Sequence, residues 1–446
     1  MFRIRWLTRT SLVLALLALT VCLLPSGAPR PAHAGRPPAP LQVPHVGPFL
    51  NIWAEARDDR EPAIAYNTQH DEYLVVWHQV QDANTSYILA RRVAADGTLL
   101  NEFLVAGGQN LLYRNPAVAY NPDRDEYLVV YVREYSSTDY DIYVRRLSWD
   151  TGTMLSHYDL DVSQYLQHEP AVVYTPQGDY VVAYTNYAAT NRAGVTLRRV
   201  DGTTGVPGVS LTISSSGAEQ YRTTPALAYD VQANKILVAY VYMYKDGVAT
   251  WHWDVMSVLQ EPDLSSVFFI EEMVHQSSDF VSSLAVACWP GQNYLVTWGS
   301  GLLLGTQSIQ ARRVAANGVP QGPATGFTLA SCTGSTACGD TRVAFAPKFR
   351  GFMVTWTFVG PPTGNGDIYG RLVPPGQDAP FGHALGLQTA ATGQETADVA
   401  CAPGASASVC LVAEAHCPVP GLCSSLDIAG RTLGPWLTHL PVTVKN

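Results

Sequence analysis

The sequence predicts an all-β protein, a seven-bladed β-propeller of four-stranded antiparallel blades, and three observations carry that expectation. First, the stretch DEYLVVW at Asp71–Trp77 returns as DEYLVVY at Asp125–Tyr131. Second, PAIAYN at Pro62 and PAVAYN at Pro116 precede those copies. Weaker copies follow as PAVVYT at Pro170, PALAYD at Pro225, LAVACW at Leu284, TRVAFA at Thr341 and ADVACA at Ala397. Third, the aligned aromatic or Cys positions are 66, 120, 174, 229, 288, 345 and 401, with spacings of 54, 54, 55, 59, 57 and 56. Seven units of one period mean a repeat architecture, in which each unit buries its apolar face against its neighbours.

Each unit reads as four strands. The first, AIAYN in the first repeat, is small and apolar. The second, EYLVVW, is hydrophobic without alternation, as a strand covered on both faces must be. The third, YILARRV, closes on a turn such as Asp96-Gly97 or Asn317-Gly318. The fourth is looser, NEFLVA near Phe103 and VSLTIS near Leu211. Four antiparallel strands per unit, without helical periodicity, are the pattern of propeller blades.

Tyr66 and Tyr73 flank a short turn and are expected to face each other across two strands. Tyr120 with Tyr127 and Tyr174 with Tyr180 repeat that pairing. Trp77, Tyr131, Tyr184, Tyr240, Trp298 and Trp356 close the second strands. Residues demanded by every unit pack blade against blade. A ligand site depends instead on features that differ between units. The third-strand arginines Arg91, Arg145, Arg198, Arg312, Arg371 and Arg431 share one aligned position. Each is expected to lay its stem between blades and cap a carbonyl or an aromatic.

The unit, of the form PAVAYN…EYLVVW…IYARRV…DG, resembles a repeat of exported bacterial propeller proteins whose function is largely undefined. The resemblance covers most of the chain from Phe49 onward and implies the fold. Repeat four departs from it where TWHWDVMSV at Thr250–Val258 replaces the ARR signature. Residues 49–53 read as a fourth strand ahead of the first complete repeat, expected to complete the last blade. The C-terminal HLPVTVKN competes for that place.

Arg3, Arg5 and Arg9, the apolar run Ser11–Leu24 and the small-residue stretch ending at Ala34 predict a signal peptide over residues 1–34. Cys22 is a rival lipidation point. A Pro-rich linker follows over 35–45, then a single propeller domain over 46–446. Without residues 1–34 the chain carries 24 basic and 37 acidic residues, a net charge of −13. No basic stripe is present, so a nucleic-acid partner is not expected. No later apolar run is long enough to span a membrane. The expected protein is a secreted or cell-surface monomer. Export permits disulfides. Cys401–Cys410 is expected in place of a Tyr pair, and Cys332–Cys338 and Cys417–Cys423 as loop staples. Cys288, opposite Tyr294, is left as a free thiol. No zinc spacing and no cofactor motif occurs, so neither metal nor cofactor is expected.

Propeller ligands sit where loops enter the innermost strands. Those loops carry Arg60, Glu61, Tyr113, Arg114, His168, Glu169, Tyr221 and Arg222, the candidate ligand-binding residues. Arg forks a carboxylate and Tyr stacks on a sugar face. No catalytic constellation is legible. The expectation is therefore a non-catalytic binder of a glycan or an extracellular protein through its loop face. The alternative is a sialidase-like glycoside hydrolase with an unrecognised acidic pair. SWDTGTML at Ser148–Leu155 partly matches the sialidase turn box and fails at Met154-Leu155. Asp123 and Asp125 read as a polar hairpin turn rather than calcium ligands.

Overall fold

The computed structural model describes residues 43–434 apart from 190, 215–216, 249, 266–269, 302–305, 335, 361–365, 390–393, 403–409 and 418–424. The predicted signal peptide, most of the linker and the C-terminal HLPVTVKN lie outside the described residues. The first repeat folds as strands Asp58–Asn67, Glu72–Asp82, Thr85–Ala94 and Leu99–Ala106, each antiparallel to the next. The same meander recurs over 112–161, 167–213, 220–275, 281–332 and 337–388. In the seventh repeat, Gln394–Cys401, Cys410–His416 and Asp427–Gly434 gain a fourth strand from His45–Trp53, with Phe49 opposite Arg431. The N-terminal segment thus fastens beside the last repeat.

The described strands form six sheets, five of four strands and one of eight. The large sheet joins the third and fourth repeats through a two-residue parallel bridge, Arg192 to Gln220 and Ala193 to Tyr221. The first strand of every repeat lies beside that of the next, and that of the seventh lies beside that of the first. The chain is an all-β protein of the propeller type.

Packing explains the unbroken hydrophobic second strand. Tyr73, Leu74, Val75, Val76 and Trp77 are all fully buried because sheets cover both of its faces. The cross-strand Tyr pairs form with ring centroids 5.1, 5.3 and 5.3 Å apart, and Phe345–Phe352 takes the same place at 5.6 Å. The aligned arginines reach back to the outer strand of the preceding sheet. Arg91 donates to the Ile52 carbonyl at 2.8 Å, Arg312 to Val274 at 2.7 Å and Arg371 to Leu329 at 2.7 Å. Arg145 and Arg198 donate likewise to Val105 and Leu160. These guanidiniums clasp sheets together. Repeat four keeps a continuous register through Trp251–Gln260, with Val258 where the others carry Arg.

Cys401 and Cys410 are register partners and are bonded, as are Cys332 and Cys338. Two disulfides fit an oxidising, extracellular compartment. Cys417 is buried, and Cys423 lies outside the described residues. Cys288 pairs with Tyr294 and is an unbonded thiol. Burial, reinforced by Asp230, pushes its pKa well above the ordinary thiol range, which makes it unreactive. Mass spectrometry of non-reduced peptides should recover Cys401 linked to Cys410 and Cys288 alkylated. A Cys288 cross-link would contradict this pairing.

Candidate functional site

The sequence places the candidate residues on loops; all eight instead lie on strands, beside a bulge. Register shifts fall between Arg60 and Ala63, Arg114 and Ala117, His168 and Ala171, and Thr223 and Ala226. A proline, with no N–H to give the ladder, stands within each of these gaps, while the sixth repeat makes the same bulge at Asp340-Thr341 without one. The residue before each proline turns to positive φ: Glu61 54°, Asn115 46°, Glu169 55°, Thr224 55°. Its N–H leaves the ladder and needs another acceptor. Glu61 supplies one for Asn115 at 2.7 Å, and Glu169 supplies one for Thr224 at 2.9 Å. Two candidate ligand residues are therefore also staples between neighbouring inner strands.

The seven inner strands line one cavity of about 540 Å³. An aliphatic belt runs round it, from Ile64 in the first repeat to Val399 in the seventh. One position before that belt the repeats carry Ala63, Ala117, Ala171, Ala226 and Ala285, all lining the cavity. The last two repeats break the series with Arg342 and Asp398. Asp398 accepts the Ile64 N–H at 2.8 Å. Burial pushes the Asp398 carboxyl above its ordinary range, against the Arg342 charge and the Ile64 and Val399 N–H groups.

Glu61 stands at the start of the neighbouring inner strand. A third of its side chain meets solvent, yet it sits in a recess walled by protein, and burial raises its carboxyl too. The Asn115 N–H and the charges of Arg114, Arg60 and Arg342 oppose that rise. Burial also acts on Glu169. Hydrogen bonds from His168, Thr185 and the Thr224 N–H outweigh it and hold this carboxyl below the usual range. His78, 3.8 Å from Glu61, is depressed to about 4 by burial and by Arg114 and Arg60, so it is neutral near pH 7. Among the described residues no three His, Cys, Asp or Glu side chains group so as to hold a metal ion.

The remaining candidates separate into two groups. Arg60 pairs with Asp58 at 2.8 Å, and Arg114 pairs with Glu134 and lies over Tyr140. Arg222 makes two bonds to Glu271 at 2.9 and 3.1 Å and covers Tyr242. Tyr113 is buried edge-on to Tyr131, where it packs rather than presents itself. His168 and Tyr221 belong to a file of rings across repeats three to five. Its steps are His168 to Tyr187 5.5 Å, Tyr187 to Tyr221 6.2 Å and Tyr221 to Trp251 6.2 Å. Trp251 to Trp253 at 6.3 Å and Trp253 to Phe280 at 6.0 Å complete it.

The other motifs are structural. Asp150 of SWDTGTML presents its carbonyl to Arg92 at 3.0 Å, while Trp149 stacks on His70 at 3.5 Å, tying the second repeat to the first. Asp125 accepts Tyr120 Oη–H, and Asp123 accepts Tyr174 Oη–H, across polar turns.

No family model matches the chain, and no curated protein matches it. Solved structures do. An ulvan lyase, a polysaccharide lyase of family PL25, aligns at 10% identity over 87% of this chain and 96% of its own, with a TM-score of 0.53. A protein of unknown function from Dyadobacter fermentans aligns at 12% identity over 88% and 99%, TM-score 0.52. The β-propeller domain of the trilobed protease from Pyrococcus furiosus aligns at 9% over 84% and 97%, TM-score 0.48. At these identities the likeness is one of fold.

Proposed function

We propose that the chain is an exported, monomeric seven-bladed propeller, the eight-stranded sheet being two blades in contact, and that it cleaves glycosidic bonds in its central cavity. The observation that carries the reading is the break in the alanine series: Asp398 and Arg342 face the cavity where five other repeats carry Ala. Residues not required by the repeat are the ones available for chemistry. Glycoside hydrolysis needs one carboxyl that donates a proton to the leaving oxygen and one that acts as base or nucleophile. Asp398, with a single arginine among its neighbouring charges, is the acid. Glu61, where three arginines oppose the rise that burial imposes, is the base or nucleophile. Arg342 lies close enough to act on both carboxyls and favours the charged form of each. The ulvan lyase is an example of this fold hosting polysaccharide chemistry, and fold alone does not carry function.

The test is reducing-end release from a panel of plant, algal and bacterial polysaccharides. Asp398→Asn keeps an acceptor for the Ile64 N–H and should lower turnover by about 10²–10⁴-fold with an unchanged melt. Release unaffected by Asp398→Asn would remove this residue from the chemistry. A second reading, a glycan binder without catalysis, is favoured by the ring file at the cavity's edge. Binding without release from any substrate in the panel would select it.

A further inference from the structure

We infer that the ring file from His168 to Phe280 is a binding track for a neutral polysaccharide chain, leading to the cavity; the inference rests on the glycan reading above. The file is not part of the repeat. Trp253 stands where the first repeat has Ser86, since both pair with the residue eight beyond the start of the second strand. Trp251 and Trp253 come from the one third strand without the aligned arginine, which has Val258 in its place.

The rings are placed to be touched. Tyr187, Tyr221, Trp251 and Trp253 are half-buried and Phe280 is 44% exposed, whereas the scaffold aromatics Trp77, Tyr131, Tyr184, Tyr240 and Trp298 are almost wholly buried. All lie at the end of the strands where the inner strands begin, and His168 adjoins Glu169 on the cavity wall. Successive centroids step by 5.5–6.3 Å, close to the length of one pyranose. The C–H face of a sugar packs on such a ring, while its hydroxyls stay free to bond at the edges.

Charge along the track selects the class of glycan. Lys245 lies over Trp251 and is 3.5 Å from Glu219. His252 is 3.1 Å from Asp246, and Arg222 is doubly bonded to Glu271. Arg192, exposed beside Tyr221 at the bridge between repeats three and four, faces no acid among the described residues, yet Glu219, Asp246 and Glu271 still balance Lys245, Arg222 and Arg192. No excess positive charge is left to attract a uronate or a sulfate, and the chain as a whole is acidic. Paired polar groups flanking apolar rings suit hydroxyls and not anionic groups.

The test uses the full mature chain and titrations read by intrinsic tryptophan fluorescence. The probes are neutral hexaoses of gluco-, xylo-, manno- and arabino-type, with oligogalacturonate as the anionic comparison. At least one neutral hexaose should bind and shift the emission, and affinity should rise with chain length from disaccharide to hexaose. Trp251→Ala combined with Trp253→Ala should weaken that binding at least ten-fold. Phe280→Ser, at an exposed ring, should weaken it by a smaller factor and guards against misfolding of the double variant. Equal hexaose affinity for wild type, double variant and Phe280→Ser overturns the track while leaving the cavity reading intact. Binding of oligogalacturonate alone overturns the neutral class. No binding of any probe by the wild type overturns the glycan reading and the track with it.

Discussion

Trp77→Ala should destabilise the protein by about 3–5 kcal/mol, the range for removing a large aromatic from a packed interior. Trp77 has no exposed surface. Its ring lies 5.6 Å from Trp53 on the strand that the N-terminal segment adds to the last sheet. Its indole N–H donates to Asp59 Oδ1 at 2.9 Å. The substitution therefore opens a cavity and also strips a hydrogen bond from a buried carboxyl, and the two losses act on the same seam. Trp77→Phe separates them: it keeps most of the ring and loses the donor, and it should cost clearly less than Ala. Denaturant melts of both variants measure the difference. A loss below about 1 kcal/mol for Ala would mean that the seam between the first and seventh repeats does not rest on this ring.

The strands were legible because a repeat multiplies evidence. One copy of EYLVVW is an apolar run that a helix could also use. Seven aligned copies with turn residues between them leave strands as the only consistent reading. The same multiplication made the arginine clasps legible, since a residue present in six units does something every unit needs. The bulges were not legible. Positive φ recurs at Glu61 before Pro62 and at Asp340 before Thr341, so no single residue type marks it, and the displaced groups find acceptors on the neighbouring strand. The strand partner belongs to another repeat.

Arg342 and Asp398 carry a sequence signal of their own, since they occupy the one position that is Ala in the other five repeats, whereas the residues before each proline vary in most repeats and mark nothing. The ring file had a partial signal in TWHW of repeat four. Its other rings come from repeats three and five, and only folding sets them 5.5–6.3 Å apart. The bridge that merges two repeats into one eight-stranded sheet has no sequence pattern of its own.

Raising the pH from 5 to 8 should destabilise the protein through two buried acids, Asp59 at that seam and Glu414 on the face of the seventh repeat that meets the sixth. Asp59 has no exposed surface, and Glu414 stands where other repeats close the second strand with Trp or Tyr. Burial pushes each up to about 8. The Gln79 and Trp77 hydrogen bonds oppose it at Asp59, and the Arg431 charge opposes it at Glu414. In the unfolded chain both return to the ordinary carboxylate range, with reference values of 3.8 and 4.5. Between those limits the folded state holds a proton that the unfolded state has released. Stability then falls as pH rises, by at most about 1.4 kcal/mol per pH unit and group. The contribution is fully present below the unfolded pKa and is lost as pH climbs through 8. Asp59→Asn and Glu414→Gln imitate the protonated acids and cannot ionise. Each variant should melt close to wild type at pH 5 and exceed it at pH 8, by roughly 2–4 kcal/mol once both changes are combined. The Asn carbonyl still accepts the Trp77 N–H, so the packing of the seam is kept while its charge is removed. A double variant that follows the wild-type pH profile would show that these carboxyls ionise freely in the folded protein, and water would then have to reach both of them.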